Sequence, residues 1–207
     1  TPLYSSAASD VYKRQPQWLK ADKLEKGDFI LVPKLTRPDS SAFSDAELEL
    51  LGYYLAEGST YFNQANRQYT NQLSFGLHEK ELVNRACQLI NEVTGRPAYV
   101  TEQLDRNGAG VSFYSQQYSD WFTEHCGKGA TNKKLSPALM ELSPSKTKIF
   151  LDAYLAGDGN VHQRDNSCLV RYSTASESLA QQVQMLLNKL DIYAWVQTRE
   201  GLSLIHI

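Results

Sequence analysis

The chain has 207 residues and a net charge of −2, from 21 Lys+Arg against 23 Asp+Glu; it is 42% hydrophobic and 21% charged. At about 150 residues per domain this is one large or two small domains, with a globular composition that excludes wholesale disorder. The charge balance excludes a histone-like, purely electrostatic nucleic-acid binder, though not a local basic surface. Cys87, Cys126 and Cys168 lie far apart with no C-x-x-C pair, which argues against a disulfide scaffold or zinc cluster and suits a reducing compartment. No apolar run approaches the roughly 18 residues that span a bilayer, and no signal peptide is visible. The expectation is an intracellular protein, cytoplasmic or nucleoid-associated, with no membrane partner.

Residues 1–15 show no clear period and no caps, and 202–207 are an apolar tail with no stop signal; both read as non-native ends that add no element to the fold. Within 16–38, Trp18, Leu19, Leu24 and the run Phe29–Val32 flank a Lys26-Gly27-Asp28 turn, which predicts strand, turn and strand. Residues 35–44 form a Ser-rich linker. Ser44 or Asp45 then caps a helix over about 45–57 that ends at Gly58. A polar hairpin follows, then a helix over 80–94 stopped by Gly95 and Pro97. Strands fit 97–103 and 110–117, a helix 118–126, and helical turns 136–142. The pattern then restarts: a helix over 146–158 ending at Gly159, a polar hairpin, a helix over 177–190 and a strand over 193–197.

The halves align as a repeat. Leu82, Leu89, Ile90 and Val93 match Leu179, Leu186, Leu187 and Leu190 at a constant offset, 179 − 82 = 97. The fold class is α+β: two pseudo-symmetric α-β-β-α-β-β units with antiparallel sheets, one over 45–143 and one over 144–201. The first unit continues about 45 residues past Val100; the second ends 11 residues after Val196. The second unit is therefore expected to be truncated, lacking its final strand and closing helix. Its stability should be marginal, and any activity that needs both units weak or absent.

The two unit-opening helices share an ending, Leu50-Leu51-Gly52-Tyr53-Tyr54-Leu55-Ala56-Glu57-Gly58 and Leu151-Asp152-Ala153-Tyr154-Leu155-Ala156-Gly157-Asp158-Gly159. Small residues four apart, Gly52 with Ala56 and Ala153 with Gly157, let two helix backbones approach closely. Each helix closes on a carboxylate followed by Gly at the C′ position. A carboxylate at the negative end of a helix dipole costs a few tenths to about 1 kcal/mol. One such ending would be an ordinary cap; two, each heading a repeat unit, point to function. If the small faces pack, Glu57 and Asp158 sit side by side and need a cation between them. A hard, oxygen-liganded divalent ion, magnesium, fits, and metals shared by two acids would support in-line phosphodiester hydrolysis.

These residues resemble the two motifs of the LAGLIDADG homing endonucleases, and the element order extends the resemblance over about 45–197. It implies a monomer with an internal pseudo-twofold, a central pair of motif helices and two saddle-shaped sheets on double-stranded DNA. It implies a long target site cut on both strands, with Glu57 and Asp158 as metal-binding catalytic acids. Two departures are mild: Glu stands for Asp in the first motif, and Asp152 is polar within the second. The stretch Trp18-Leu19-Lys20-Ala21-x-x-Leu24-x-x-Gly27-Asp28, ending at Val32-Pro33, resembles the late part of an intein splicing domain before an inserted endonuclease. Other splicing blocks are absent, so self-splicing is not expected. Lys133-Lys134-Leu135-Ser136-Pro137 resembles the lysine block of such endonucleases, whose lysine enters the active site; the sequence leaves Lys133 and Lys134 as alternatives.

Residues Ser59–Gln72 contain no acid and one base, Arg67. Asn63, Gln64, Asn66, Gln68, Asn71 and Gln72 interleave with Tyr61, Phe62 and Tyr69 there. Amides on a two-stranded ribbon can read base edges in the major groove. The second hairpin offers His162, Gln163, Arg164, Asn166 and Arg171. His125-Cys126 has no metal-site spacing, and His78 and Cys87 read as packing or surface residues. The competing reading is a non-cleaving DNA-binding module of the same fold: a degenerate nuclease, maturase or transcription regulator.

Overall fold

The computed structural model describes residues 18–28, 42–164, 167–199 and 202–206, in two units, Thr1–Leu35 and Thr36–Ile207. In the first unit, Ala21–Lys23 forms one 3-10 turn. A tight turn follows at Gly27, whose φ is +110°, closed by the Glu25 amide donating to the Asp28 carboxylate at 2.9 Å. Trp18, Leu19 and Leu24 are exposed. The strand expected before this turn does not form: apolar residues at 18, 19 and 24 do not alternate, so an extended chain here has no face to bury. The run Phe29–Val32 lies outside the described residues.

The second unit opens with helix α1 (Asp45–Glu57). A capping box starts it: Ser44 Oγ accepts from the Glu47 amide at 3.2 Å, and the Glu47 carboxylate accepts from the Ser44 amide at 2.7 Å. Then come β1 (Gly58–Asn63), β2 (Gln68–Gly76), α2 (Lys80–Thr94), β3 (Tyr99–Gln103), β4 (Gly108–Tyr114), α3 (Gln116–Cys126) and the short α4 (Pro137–Met140). The second half runs α5 (Pro144–Asp158), β5 (Gly159–Arg164), β6 (Ser167–Thr174), α6 (Glu177–Lys189), β7 (Trp195–Arg199) and β8 (Leu202–His206). Antiparallel sheets form in the orders β1-β2-β4-β3 and β5-β6-β8-β7, the same topology twice.

The second sheet corrects one expectation. Its final strand is present, made by the apolar tail expected to be a non-native end: Leu202–His206 pairs with both β6 and β7. A run with no cap and no helical period is still a strand when two neighbours supply its hydrogen bonds.

Helices α1 and α5 lie at the centre. In α1 every residue from Leu50 to Ala56 is buried, so the helix is apolar all round, as a helix enclosed by other elements must be. It packs on α5, α2, α3 and the first sheet. A Cβ on Gly52 would lie 2.6 Å from the Cβ of Ala153 and 2.6 Å from the Phe150 carbonyl oxygen; one on Gly157 would lie 2.5 Å from the Cβ of Ala56. The four small residues thus form the contact. Equivalent positions meet there (153 − 52 = 157 − 56 = 101), as a pseudo-twofold axis between the helices requires. One apolar cluster continues from Leu89 and Val111 through this pair to Leu179, Val183 and Leu187. Among the described residues no helix is long and apolar enough to cross a membrane.

Candidate active site and nucleic-acid interface

Each central helix runs straight into a strand. Gly58 (φ −87°, ψ 143°) and Gly159 (φ −79°, ψ 144°) are extended rather than left-handed, so these glycines do not serve the turn geometry expected of them. They serve close approach. A Cβ on Gly58 would fall 2.3 Å from the Tyr54 carbonyl oxygen, and one on Gly159 2.2 Å from that of Leu155. The helix-to-strand step is so tight that the preceding acids, Glu57 and Asp158, are fixed at the same end of the pair.

Both acids are half-buried. Burial pushes the Glu57 carboxyl up to about 7, helped by the negative charges of Asp158 and Glu79 and opposed by Lys133. Burial likewise raises Asp158 to about 6, opposed by Lys133. The pair titrates as a unit, since each proton lost makes the next harder to lose. Lys133 is the cation beside them. Its Nζ donates to the carbonyls of Leu55 and, at 3.0 Å, Ala56, at the negative end of the α1 dipole. Burial lowers its pKa, while Asp158, Cys126 and Glu57 oppose the change. Lys134 is exposed. The segment is strapped from both sides: the Lys134 amide donates to Cys126 O at 3.1 Å, and Ser176 Oγ donates to Lys133 O at 2.6 Å. The side-chain amide of Gln182 and the backbone of Leu135 exchange two bonds of 2.8 and 2.9 Å. A cleft of about 200 Å³ lies beside Lys133 and Asp158, lined also by Leu55, Tyr154, Thr174 and Leu179.

Among the described residues no three His, Cys, Asp or Glu side chains cluster as a metal site. Glu57 and Asp158 form a two-carboxylate, all-oxygen donor pair with raised proton affinity. That set fits a hard divalent ion that keeps several waters and takes its other ligands from phosphate. His125 is elsewhere engaged: its Nδ1 bonds Ser136 Oγ at 2.9 Å, and its ring meets Phe43 and Trp121 edge-on.

Register separates the hairpin residues. Cross-strand partners share a face, so Tyr61, Asn63, Gln68 and Gln72 lie on the face away from the helices. Tyr61 and Gln68 are exposed, and Asn63 and Gln72 half-buried. Gln64, Asn66 and Arg67 form the exposed tip, with Arg67 at φ 53°. Tyr69 lies on the opposite face, its ring 5.0 Å from that of Phe62. Asn71 is a correction. It is buried, accepts from Thr60 Oγ1 at 3.0 Å and Ser119 Oγ at 3.1 Å, and donates to Ser115 O at 3.0 Å, so its amide is spent inside. In the second sheet, Asn160 pairs with Arg171 on the face away from the helices, whereas Gln163 falls on the helix-side register. His162 and Arg164 lie in β5, and Asn166 lies outside the described residues.

The open face also carries residues that composition did not reveal: Tyr99, Thr101 and Gln103 of β3, Ser112 and Tyr114 of β4, and Trp195 and Gln197 of β7. Alternation along those strands was the available signal.

Comparison with known proteins agrees with this geometry. Residues 146–206 match the model of the LAGLIDADG-like domain. The homing endonuclease I-DmoI in complex with DNA and Mn superposes at TM-score 0.58 and 13% identity, over 79% of this chain and 89% of that one. The chain has the LAGLIDADG fold. The N-terminal LAGLIDADG domain of DUF199/WhiA shares it at TM-score 0.54 and 12% identity, over 86% of this chain and 89% of that domain. Curated relatives are longer. An iron-sulfur cluster assembly SufBD family protein of Mycobacterium tuberculosis, Rv1461, is 31% identical over 191 residues, 89% of this chain and 22% of that protein. The replicative DNA helicase DnaB of Rhodothermus marinus is 28% identical over 199 residues, 87% and 20%. The ATP-dependent DNA helicase Hel308 of Thermococcus kodakarensis is 27% identical over 175 residues, 83% and 14%. The chain thus spans at most about a fifth of the length of these relatives.

Proposed function

We propose that this chain is the DNA-cleaving domain of an intein-borne homing endonuclease, monomeric, hydrolysing both strands of a long double-stranded target with a divalent cation, magnesium. The observation that carries the reading is the pairing of Glu57 and Asp158 at the shared end of the α1–α5 pair, with the Lys133 ammonium beside them. Insertion in a host is supported by the relatives. Proteins named for cluster assembly and for two helicases share this one segment over 14 to 22% of their lengths. A segment common to such different proteins reads as inserted. The Trp18–Pro33 resemblance to a splicing domain agrees.

Glu57 and Asp158 would hold the cation, which when bound supplies Lewis acidity to a phosphate oxygen and lowers the pKa of water. The chain's own contributions follow from geometry. The two acids give up the protons that burial favours and present both carboxylates on one side of the scissile bond. Lys133 spends two N–H groups on the Leu55 and Ala56 carbonyls, leaving one for a phosphate oxygen or an attacking water. Tyr61, Asn63, Gln68 and Gln72 on the open face meet base edges. The second reading is DNA binding by this fold without cleavage; the fold also occurs in DUF199/WhiA, which is not named as a nuclease.

The test is incubation with a library of duplexes and Mg²⁺, with Glu57→Gln as control. Because the second sheet has its fourth strand, the expectation of weak cleavage is revised: we expect discrete double-strand breaks from the wild type, none from the variant, and retained DNA binding by both. Selective binding without cutting by the wild type would favour the second reading.

A further inference from the structure

Lys133 reaches its place from a loop, and so flexible a side chain keeps one position only if the backbone beneath it is fixed. On the N-terminal side the fixing is local. Gly127 (φ +74°) turns the chain so tightly that a Cβ there would lie 2.4 Å from the Asn132 carbonyl oxygen. From Lys133 onwards the partners alternate. The amides of Lys134 and Ser136 donate to the Cys126 and His125 carbonyls at 3.1 and 3.0 Å, so the even positions bond the end of α3. The odd positions bond α6 and its N-cap. Lys133 O accepts from Ser176 Oγ, the Leu135 amide donates to Gln182 Oε1 at 2.8 Å, and Leu135 O accepts from Gln182 Nε2 at 2.9 Å.

Gln182 is the least expected of these partners. Its pseudo-symmetric counterpart, at 182 − 97 = 85, is Arg85, whose Nε donates to Glu49 of α1 at 2.8 Å. The first half thus uses this position to tie its helix to the central pair. The second half has an amide there and turns it on the connection between the halves. Two turns further along α6, Lys189 Nζ donates to the carbonyls of Met140 and, at 3.4 Å, Leu142 in the same connection. An amide suits the task, because one side chain offers a donor and an acceptor to the carbonyl and amide of a single residue. Leu135 is buried, so a side chain without those atoms would leave both backbone groups unpaired.

We propose that Gln182 is a positioning residue for Lys133: by holding both backbone groups of Leu135 it sets where the lysine ammonium meets the end of α1. The proposal rests on the reading of Lys133 as a group of the cleavage site. Among the described residues lining the cleft beside Lys133 and Asp158, Gln182 is absent, so it acts through the backbone and not on the substrate. A helix of the second half thereby places a lysine that the chain carries between its halves. A small displacement of such a group, caused from outside the reacting centre, is enough to slow a reaction strongly.

The experiment compares Gln182→Met, Gln182→Glu and Gln184→Met with wild type in two measurements. Gln184 is the control: its Nε2 donates to Ala194 O at 2.7 Å, an amide-to-backbone bond on the same helix that does not involve the lysine segment. One measurement is the Lys133 ammonium resonance in ¹⁵N-labelled protein free of metal and DNA, assigned by its loss in Lys133→Ala; an ammonium held by carbonyls exchanges its protons slowly enough to be seen. The other is single-turnover cleavage, with DNA affinity measured beside it. We expect Gln182→Met to lose the resonance and slow cleavage about tenfold or more, with DNA affinity within about twofold. Gln182→Glu keeps the acceptor for the Leu135 amide and should fall between, and it carries the test under the same criteria if Gln182→Met does not fold. Gln184→Met should match wild type in both. An unchanged resonance and cleavage rate in Gln182→Met would mean that the amide only satisfies Leu135, and would overturn the proposal. Equal losses in Gln182→Met and Gln184→Met would overturn it too, since α6 would then be loosened as a whole. A wild type that binds DNA without cutting would instead sink the reading of the site. The resonance would then decide alone: its loss in Gln182→Met supports the positioning, and its retention defeats it.

Discussion

Lys133 and Lys134 are adjacent in sequence and opposite in environment. One ammonium is buried against the end of α1 and the other is in solvent. Lys133→Ala should lower cleavage about 10²-fold or more, as loss of a single stabilising donor does, while Lys134→Ala changes it by less than about threefold; single-turnover rates check both. The acids give a pH prediction. Their folded values, about 7 and about 6, lie above the ordinary carboxylate range near 4. The folded chain therefore binds these protons more tightly than the unfolded one. The stabilisation is fully present below about pH 4 and is lost as pH rises through 6 to 7. In the metal-free protein Glu57→Gln should raise the melting temperature at pH 8 and flatten its fall between pH 5 and 8. Mn²⁺ uptake by wild type should release protons and tighten across the same window. A Glu57→Gln melting profile that parallels wild type would count against a strained pair. The acid pair was legible because the motif occurs twice. The lysine was ambiguous because inward and outward neighbours on a loop differ only by straps, here from Cys126 and Ser176, that lie 7 and 43 residues away (133 − 126 and 176 − 133).

At the scale of elements, the helix pair and the first hairpin each carry a test. Gly52 meets Ala153 and the Phe150 carbonyl so closely that an added methyl forces backbone, not a flexible side chain, to move. Gly52→Ala should cost about 1–3 kcal/mol in chemical denaturation, and it should cut cleavage further by spreading the acids. Within the hairpin, adjacent amides should behave oppositely. Asn71→Ala strips partners from Thr60, Ser119 and Ser115 and should cost about 1–3 kcal/mol of stability. Gln72 lies over Gly110 on the open face, and Gln72→Ala should leave stability within about 0.5 kcal/mol while relaxing base preference in a binding assay. Both amides belong to one amide-rich run, so composition could not separate them. The alternation of a paired strand does, and it brings in Tyr99, Tyr114 and Trp195, which no run of amides announces.

For the whole molecule, the repeat made the architecture readable: constant offsets of 97 and 101 residues are what two copies of one topology produce. The end of the second copy was not readable. Leu-Ser-Leu-Ile-His has no cap, turn or helical period, and its role is fixed by two strands distant in sequence. Strand β8 is interior to its sheet, in the order β5-β6-β8-β7, so among the described residues β7 has no other strand partner. Helix α6 packs on β6, β7 and β8 together. Deleting residues 202–207 should therefore leave β7 unpaired and remove much of the surface under α6, while leaving the strand pairing of the first sheet intact. Sheet edges that lose their pairing expose backbone groups to water and to other chains. In native-state hydrogen exchange we expect the amides of Trp195–Arg199 and of Glu177–Lys189 to lose protection by about tenfold or more on deletion, with those of Lys80–Thr94 unchanged. In the full chain, α6 should be protected comparably to α2, its pseudo-symmetric partner. Retained protection of β7 after the deletion would show that β8 does not hold that edge, and the second sheet would then have to be ordered from its helices alone.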